Sequence, residues 1–124
     1  MSILNRAYEI SVWQEDFGEG GKLVEKKLGI IGTDGMQSQS RVLEPTLSKN
    51  INGTKKLTFK MYRHYVDIMT GEKVENPFIA NGWMISERKI KLKYKNKWYD
   101  FIIKDISENS SNYLYTYSLE EAYV

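Results

Sequence analysis

The sequence predicts a mostly β protein, an antiparallel β-barrel or sandwich with a β-meander in its C-terminal half and at most short helices. Aromatic residues make up 13% of the chain, with nine Tyr and three Trp, and flat amphipathic rings suit half-buried strands. Apolar and polar residues alternate with period two in several segments, which is typical of a strand with one buried face. Glycine, asparagine and aspartate cluster between these segments, where turns are expected.

The length and composition fit a single globular domain, residues 1–124, with 41% hydrophobic and 27% charged residues. The chain has no Cys, so neither a disulfide framework nor a thiolate zinc site is possible. The N-terminus lacks a signal-peptide pattern, and no apolar run approaches the roughly 18 residues of a membrane span. We therefore expect a soluble protein, assembled in a cytoplasm and without a membrane partner.

The first third of the chain predicts two paired strands. Residues 7–13 alternate, with Tyr8, Ile10 and Val12 on one face. Residues 16–21, Asp-Phe-Gly-Glu-Gly-Gly, are typical of a turn because they tolerate positive φ angles. Residues 23–31 are then expected to return as a strand, and residues 32–40 to form a loop.

The middle of the chain predicts a hairpin followed by a long loop. Pro45 restricts residues 41–50 to an edge strand or an irregular approach. Asn52-Gly53 lies between two apolar runs, which is a strong hairpin signal, and residues 56–62 alternate cleanly. Asn76 followed by Pro77 predicts the start of a short helical turn. The loop of about 25 residues after residue 62 is long enough to suggest a function or an elaborated structure.

The last third predicts the β-meander. Residues 88–94 and 98–106 are expected to be strands joined by a turn at Lys95-Asn96, and residues 113–119 the last strand after a turn at 108–112. Residues 119–124 suggest the beginning of a helix.

The inventory of chemical groups predicts that the chain is not an enzyme. His64 is the only histidine, so it has no second histidine with which to share a metal. Residues 29–35, Gly-Ile-Ile-Gly-Thr-Asp-Gly, match neither the dinucleotide-binding nor the P-loop pattern. Glu15-Asp16 and Glu120-Glu121 are adjacent pairs, whose side chains point apart on a strand. We expect no catalytic residue, no cofactor and no metal.

A lysine-rich strand is the clearest charge feature. Net charge is only +2, but residues 88–104 hold seven Lys or Arg against one acid, and residues 1–34 hold four against six. The candidate basic face consists of Lys89, Lys91, Lys93 and Lys97. With Tyr94 and Trp98 nearby, it could follow a single-stranded nucleic acid, or it could be a solvated face that protects an edge strand. The basic and acidic regions could also meet head-to-tail in a ring.

An ordered series of phrases resembles a known family. These are Asn5-Arg-Ala-Tyr-Glu-Ile10, Asn50-Ile-Asn-Gly-Thr-Lys-Lys-Leu-Thr-Phe59, Glu75-Asn-Pro-Phe-Ile79, Glu87-Arg-Lys-Ile-Lys-Leu-Lys-Tyr94, Lys97-Trp-Tyr-Asp-Phe-Ile102 and Tyr115-Thr-Tyr117. Together they resemble the N-terminal region of phage minor structural proteins, the tail-tip hub or tail-associated lysin proteins of long-tailed phages of Gram-positive bacteria. The resemblance extends over most of the chain.

The resemblance implies a structural role in a virion tail tip. It implies a homo-oligomeric ring at the end of the tail tube, with the distal tail protein above and receptor-binding or lysin components below. Nucleic acid would meet it only in passage through the tube, and lytic activity would belong to C-terminal domains. Family members continue for hundreds of residues, so the chain is either an excised domain or a short protein that uses the same fold.

The long loop offers candidate subunit contacts. The candidates are Tyr62, Tyr65, Phe78, Trp83 and Met84. Aromatic residues and Met are enriched at interfaces, so residues 62–85 could reach a neighbouring subunit. The segment could equally fold back and cap the open end of the β structure. The alternative function from another class is a small β binding module for single-stranded nucleic acid or cell-surface carbohydrate.

Overall fold

A computed structural model describes residues 2–3, 7–34, 40–109, 111 and 113–122, and the fold is mostly β, as the sequence predicts. The ten strands are β1 (Ser2–Ile3), β2 (Tyr8–Phe17), β3 (Leu23–Thr33), β4 (Leu43–Lys49), β5 (Lys55–Tyr62), β6 (His64–Val66), β7 (Lys73–Glu75), β8 (Lys89–Tyr94), β9 (Lys97–Asn109) and β10 (Leu114–Glu121). One α-helix, α1 (Pro77–Ala80), and a 3-10 turn (Glu19–Gly21) complete the described elements. With four residues, α1 is too short to span a bilayer.

Eight strands form one antiparallel sheet in the order β1-β4-β5-β10-β9-β8-β2-β3, and β6 and β7 form a separate hairpin. The neighbours β8, β9 and β10 confirm the predicted meander. Within the described residues the ladder of strands does not close, so a sandwich or an open sheet fits and a closed barrel does not. The sheet does curl, because Val42 N, just before β4, donates to Ile31 O in β3 at 3.0 Å.

One face of the curled sheet forms the hydrophobic core. Twelve side chains are almost fully buried there: Ile10, Val12, Ile31, Leu57, Phe59, Met61, Ile90, Leu92, Phe101, Ile103, Tyr117 and Leu119. Most of them recur at every second position of their strands, as period-two alternation requires. The rings of Phe59 and Tyr117 lie 5.4 Å apart, and burial raises the pKa of the Tyr117 phenol above its ordinary value.

The first hairpin is longer than the sequence predicts. β2 continues to Phe17, so the turn expected at residues 16–21 begins two residues later. Asp16 pairs with Val24 and Phe17 with Leu23, and Gly20 and Gly21 both have a φ angle of 75° in the turn. Cross-strand pairing thus extends strand structure into residues whose composition favours a turn. β3 also runs on to Thr33, and residues 35–39 of the expected loop lie outside the described residues.

The helix suggested for residues 119–124 is wrong as far as the structure describes them. β10 runs to Glu121, and Ala122 N donates to Asp100 O at 2.8 Å. β10 lies between β5 and β9, and the ladders on both sides use its backbone groups. A helix there would forfeit these hydrogen bonds, so tertiary pairing outweighs local propensity. Residues 123–124 lie outside the described residues.

Turn residues occupy the positions that the sequence predicts. Pro45 lies in β4 where the register with β5 shifts between Leu43 and Thr46, and β1 pairs only with Thr46 and Leu47. A proline is tolerated there because no neighbouring strand needs its missing N–H. Gly53 closes the β4–β5 hairpin with a φ angle of 91°, and Lys95 and Asn96 join β8 to β9 with φ angles of 51° and 64°.

The β8–β9 turn provides a test of local strain. Positive φ angles at both central residues define a type I′ turn, which prefers Asn-Gly, whereas Lys in this region is strained. Lys95→Asn combined with Asn96→Gly should therefore stabilise the protein by about 1 kcal/mol and raise Tm by about 3–6 °C. Thermal denaturation followed by circular dichroism measures this. Lys97→Asn, on the adjacent exposed strand, should not raise Tm, and an equal rise there would refute the turn as the cause.

Candidate assembly surfaces

The long segment between β5 and β8 contains all five candidate contact residues, and the structure divides them. Phe78 and Trp83 pack against the core, and Met84 belongs to it with 6% of its surface exposed. Tyr62 ends β5 and Tyr65 lies in β6, and both are half-buried. The part of the segment that follows β7 therefore covers the core, which favours the capping interpretation for Phe78, Trp83 and Met84.

Asn76 holds this cap in place. It is fully buried, and its side-chain Nδ2 donates to Tyr62 O at 2.8 Å and to Ser40 O at 3.2 Å. Its Oδ1 accepts from Phe78 N at 3.0 Å, which is the N-cap bond of α1, and Pro77 follows at the first helical position. The side chain thus joins three parts of the chain, and its polar atoms are satisfied although no water reaches them.

Trp83 closes the cap over β3. A Cβ atom on Gly29 would lie 2.8 Å from the Trp83 ring, so only glycine allows this close approach. The Phe78 ring lies 5.7 Å from the Trp83 ring, and the Arg41 guanidinium lies 5.1 Å from the Phe78 ring centre. Arg41 Nη1 also donates to Ile30 O in β3. The cap is therefore bound to one end of the sheet by ring packing and by a cation.

The β6–β7 hairpin is attached to the sheet at its base. Arg63 N donates to Tyr113 O at 2.7 Å, and the His64 ring meets the Tyr113 ring edge-on at 5.5 Å. Lys73 Nζ lies 3.8 Å from the centre of the same ring, and hydrogen bonding with Lys73 lowers the pKa of Tyr113. His64 Nδ1 is buried without a hydrogen-bond partner in the described part of the chain. These contacts fix the direction of the hairpin.

The tip of that hairpin is apolar and exposed. Val66, Ile68 and Met69 expose 55%, 91% and 92% of their surfaces. They are absent from the candidates chosen from the sequence, which emphasise aromatic residues. The signal that could have found them is the position of Ile68 and Met69 within the turn that joins β6 to β7, where polar residues are usual.

A second exposed apolar tip ends the β2–β3 hairpin. Phe17, Leu23 and Val24 expose 80%, 55% and 50% of their surfaces. β8 pairs with β2 only as far as Trp13, so the last four residues of β2 extend past the body of the sheet. No part of the described core covers these side chains. The sequence did not predict the Phe17–Leu23 pair, because the composition of residues 16–21 is typical of a turn.

The candidate basic face is partly neutralised. Lys89 Nζ lies 2.9 Å from Glu15 and 3.3 Å from Glu25, and 3.7 Å from Asp100. Lys91 Nζ lies 2.6 Å from Glu25 and 4.2 Å from the centre of the Trp13 ring. Hydrogen bonding with Lys91 lowers the pKa of Glu25. The pKa of Lys89 is raised, because its carboxylate partners outweigh the desolvation that would lower it.

Lys93 and Lys97 remain exposed at the opposite end of β8. Lys93 Nζ lies 5.7 Å from the centre of the Trp98 ring, and Trp98 exposes 52% of its surface. The structure therefore separates the four lysines into a paired half, Lys89 and Lys91, and a solvent-facing half. The second half keeps the combination of cations and aromatic rings that a binding module would use.

The described residues contain no group of three His, Asp or Glu side chains placed to hold a metal ion. No family model, no curated protein and no solved structure matches this chain. The features that stand out among the described residues are exposed surfaces: the two apolar hairpin tips and the Lys93–Trp98 end of the sheet.

Replacing Asn76 tests whether the cap is part of the fold. Asn76→Ala removes the three hydrogen bonds of a fully buried side chain, including the N-cap bond of α1, so the free energy of unfolding should fall by about 2–4 kcal/mol. Asn76→Asp keeps the N-cap acceptor but loses both donors, so it should also destabilise. Urea denaturation measures both variants. Asn81→Ala, at the exposed end of α1, is the control, and an Asn76→Ala protein as stable as this control would contradict the role of the cap.

The ion-pair cluster predicts a pH dependence. Because the pKa of Glu25 is lowered in the folded state, its contribution is present above its ordinary pKa of 4.5 and is lost as the pH falls through the lower folded value. Glu25→Gln should therefore lower Tm at pH 7 and reduce the loss of Tm between pH 5 and 3. Melting curves across this range measure the effect. Glu19→Gln, in the exposed turn, should leave the profile unchanged; identical profiles for the two variants would refute the assignment.

Proposed function

We propose that this chain is a structural component of a phage or prophage tail tip or baseplate hub, where it joins a ring at the end of the tail tube. The observation that carries the proposal is the β6–β7 hairpin, which presents Val66, Ile68 and Met69 to solvent. Contiguous exposed apolar side chains are typical of protein contact sites. The resemblance to tail-tip proteins gives this contact its biological setting.

The attachment of the hairpin supports a contact role. Its base is fixed by the Arg63–Tyr113 hydrogen bond and by the rings of His64 and Tyr113, so its tip is presented in one direction. Pre-organisation of this kind lowers the entropy cost of binding. Met69 adds an adaptable side chain, which suits contacts with neighbours of different shape. Tyr65, half-buried on the same hairpin, would border the contact.

The chemistry of the described residues supports a structural rather than a catalytic role. His64 is the single histidine, and its ring meets the Tyr113 ring edge-on. Lys89 and Lys91 form ion pairs with carboxylates of the same chain. Structural proteins of large assemblies need a packed core with projecting contact elements, and the described residues provide both.

The second candidate function is a small β binding module. The end of the sheet at the β8–β9 turn favours this function. Lys93, Lys97 and Trp98 are exposed together, and aromatic rings with cations can stack and attract the bases and phosphates of a single strand. An exposed Trp can also stack on a sugar ring. Salt-sensitive oligonucleotide binding, lost in Trp98→Ala, would support the nucleic-acid form of this alternative.

Immunogold electron microscopy tests the tail-tip proposal directly. Antibody against the chain, applied to phage particles induced from the source strain, should label the tail tip alone. Particles disrupted to expose internal surfaces are the accessibility control. Absence of gold from tips in both preparations would refute the proposal and turn attention to oligonucleotide and glycan binding.

Substitution at the hairpin tip should separate assembly from folding. Ile68→Ser with Met69→Ser, introduced into the phage, should leave the purified chain folded but abolish infectious particles that carry it. Ile51→Ser is the matched control, because Ile51 is fully exposed on the β4–β5 turn. Particle titre and Tm are the two measurements. Normal titre in the double variant would exclude this tip as the contact.

A further inference from the structure

Among the residues that the structure describes, none pairs with one edge of β3 along the first half of the strand. It pairs with β2 on one side, and on the other the described residues bond only to its second half, through the carbonyls of Ile30 and Ile31. Residues 23–27 are exposed and Leu28 is half-buried. An open strand edge with free N–H and C=O groups is a ready template for another strand.

A groove lies beside this edge. Its volume is about 530 Å³, and it is lined by Lys27, Leu28, Gly29, Ile30, Arg41 and Phe78. Gly29 contributes no side chain, and Leu28 and Phe78 provide apolar walls. The exposed Leu23 and Val24 of the same strand lie outside it, toward the hairpin tip. The strand therefore carries apolar side chains at one end and an apolar groove at the other.

We propose that a second copy of this chain binds here, with the two β3 strands pairing antiparallel across a two-fold axis at Lys26. In this register residue i faces residue 52 − i, so Val24 of each copy lies against Leu28 of the other. Leu23 of the second copy, just beyond the last paired residue, then lies at the groove. A contact in which the same patch serves both partners is closed and stops at two copies.

Charge selects this register. Glu25 faces Lys27 of the second copy, and the symmetry repeats the pair. Within one chain Glu25 already lies near Lys89 and Lys91, and Lys27 lies 3.6 Å from Glu9, so the contact between copies adds a further partner to each group. Both lie on the outer face, since Glu25 pairs with Glu15 and Lys27 with Trp13 across the hairpin.

An axis at Glu25, Lys26 or Lys27 opposes one charge to its own copy, and like charges directly opposite are unfavourable. The axis at Lys26 also forms two Glu25–Lys27 pairs. An axis at Glu25 would instead set Val24 against Lys26, and an axis at Lys27 would set Lys26 against Leu28.

Bulge geometry limits the pairing to residues 24–28. The register with β2 shifts between Lys27 and Gly29, so the alternation of faces changes beyond Leu28. Leu28 packs toward the core side, the face that Val24 also occupies, so these two side chains can meet. Lys26 faces Lys26 of the second copy, and this like-charge contact weakens the dimer. Removing the charge at this position should therefore strengthen dimerisation.

Sedimentation velocity of the 124-residue chain, from roughly 1 µM to 1 mM, tests the proposal. We expect a monomer–dimer equilibrium. Val24→Lys should weaken dimerisation by more than tenfold, because it places a cation against Leu28. Lys26→Thr should strengthen it roughly two- to fivefold, because it removes the like-charge contact and favours a strand. Ile51→Lys, an equivalent change on an exposed turn elsewhere, should leave the equilibrium unchanged.

Hydrogen exchange distinguishes this edge from other surfaces. Peptides within residues 22–30 should become protected as the concentration rises, and circular dichroism should show that each variant is folded. A monomer throughout the range would overturn the proposal, as would a dimer indifferent to Val24→Lys and Lys26→Thr. The inference goes beyond the tail-tip role and does not rest on it, because the dimer is measured on the isolated chain and the tail-tip role on particles.

Discussion

The fold depends on keeping one face of one sheet away from water. Nearly all fully buried side chains lie on the inner face of the eight-stranded sheet, and no second sheet of comparable size covers it in the described residues. Such a sheet buries its own face only if it curls and if something closes the opening that remains. Bulges in the β2–β3 ladder increase the curl, and the Val42–Ile31 hydrogen bond brings distant strands together. The segment after β7, fixed by Asn76 and packed through Trp83, closes the opening.

Much of this architecture could be predicted from local patterns. Period-two alternation identified the core residues of β2, β5 and β8, because a half-buried strand imposes that spacing wherever it lies in a sheet. Asn76-Pro77 identified the start of α1, because an N-cap and a proline at the first helical position act within a few residues. Strand ends were less predictable. β2 and β10 continue into residues whose local composition favours a turn or a helix, because pairing with neighbouring strands extends them.

The surfaces were harder to predict because they depend on residues far apart in sequence. Lys89 and Lys91 suggest a basic stripe when only β8 is considered. Their carboxylate partners come from β2, β3 and β9, and the strand order that brings them together is not visible in any one segment. The long loop shows the same difficulty, since aromatic residues suit both an interface and a core. Trp83 and Phe78 turned inward because Gly29 leaves space beneath the Trp83 ring.

These constraints determine which surfaces remain for a partner. The inner face is committed to the core, and the part of the outer face around Lys89 is committed to ion pairs within the chain. Among the described residues, what remains uncommitted is peripheral: the β6–β7 tip, the β2–β3 tip with the backbone edge of the first half of β3, and the Lys93–Trp98 end. The exposed apolar side chains and this strand edge all lie at the periphery of the sheet. A contact at one of these places can therefore form without disturbing the core that supports the others.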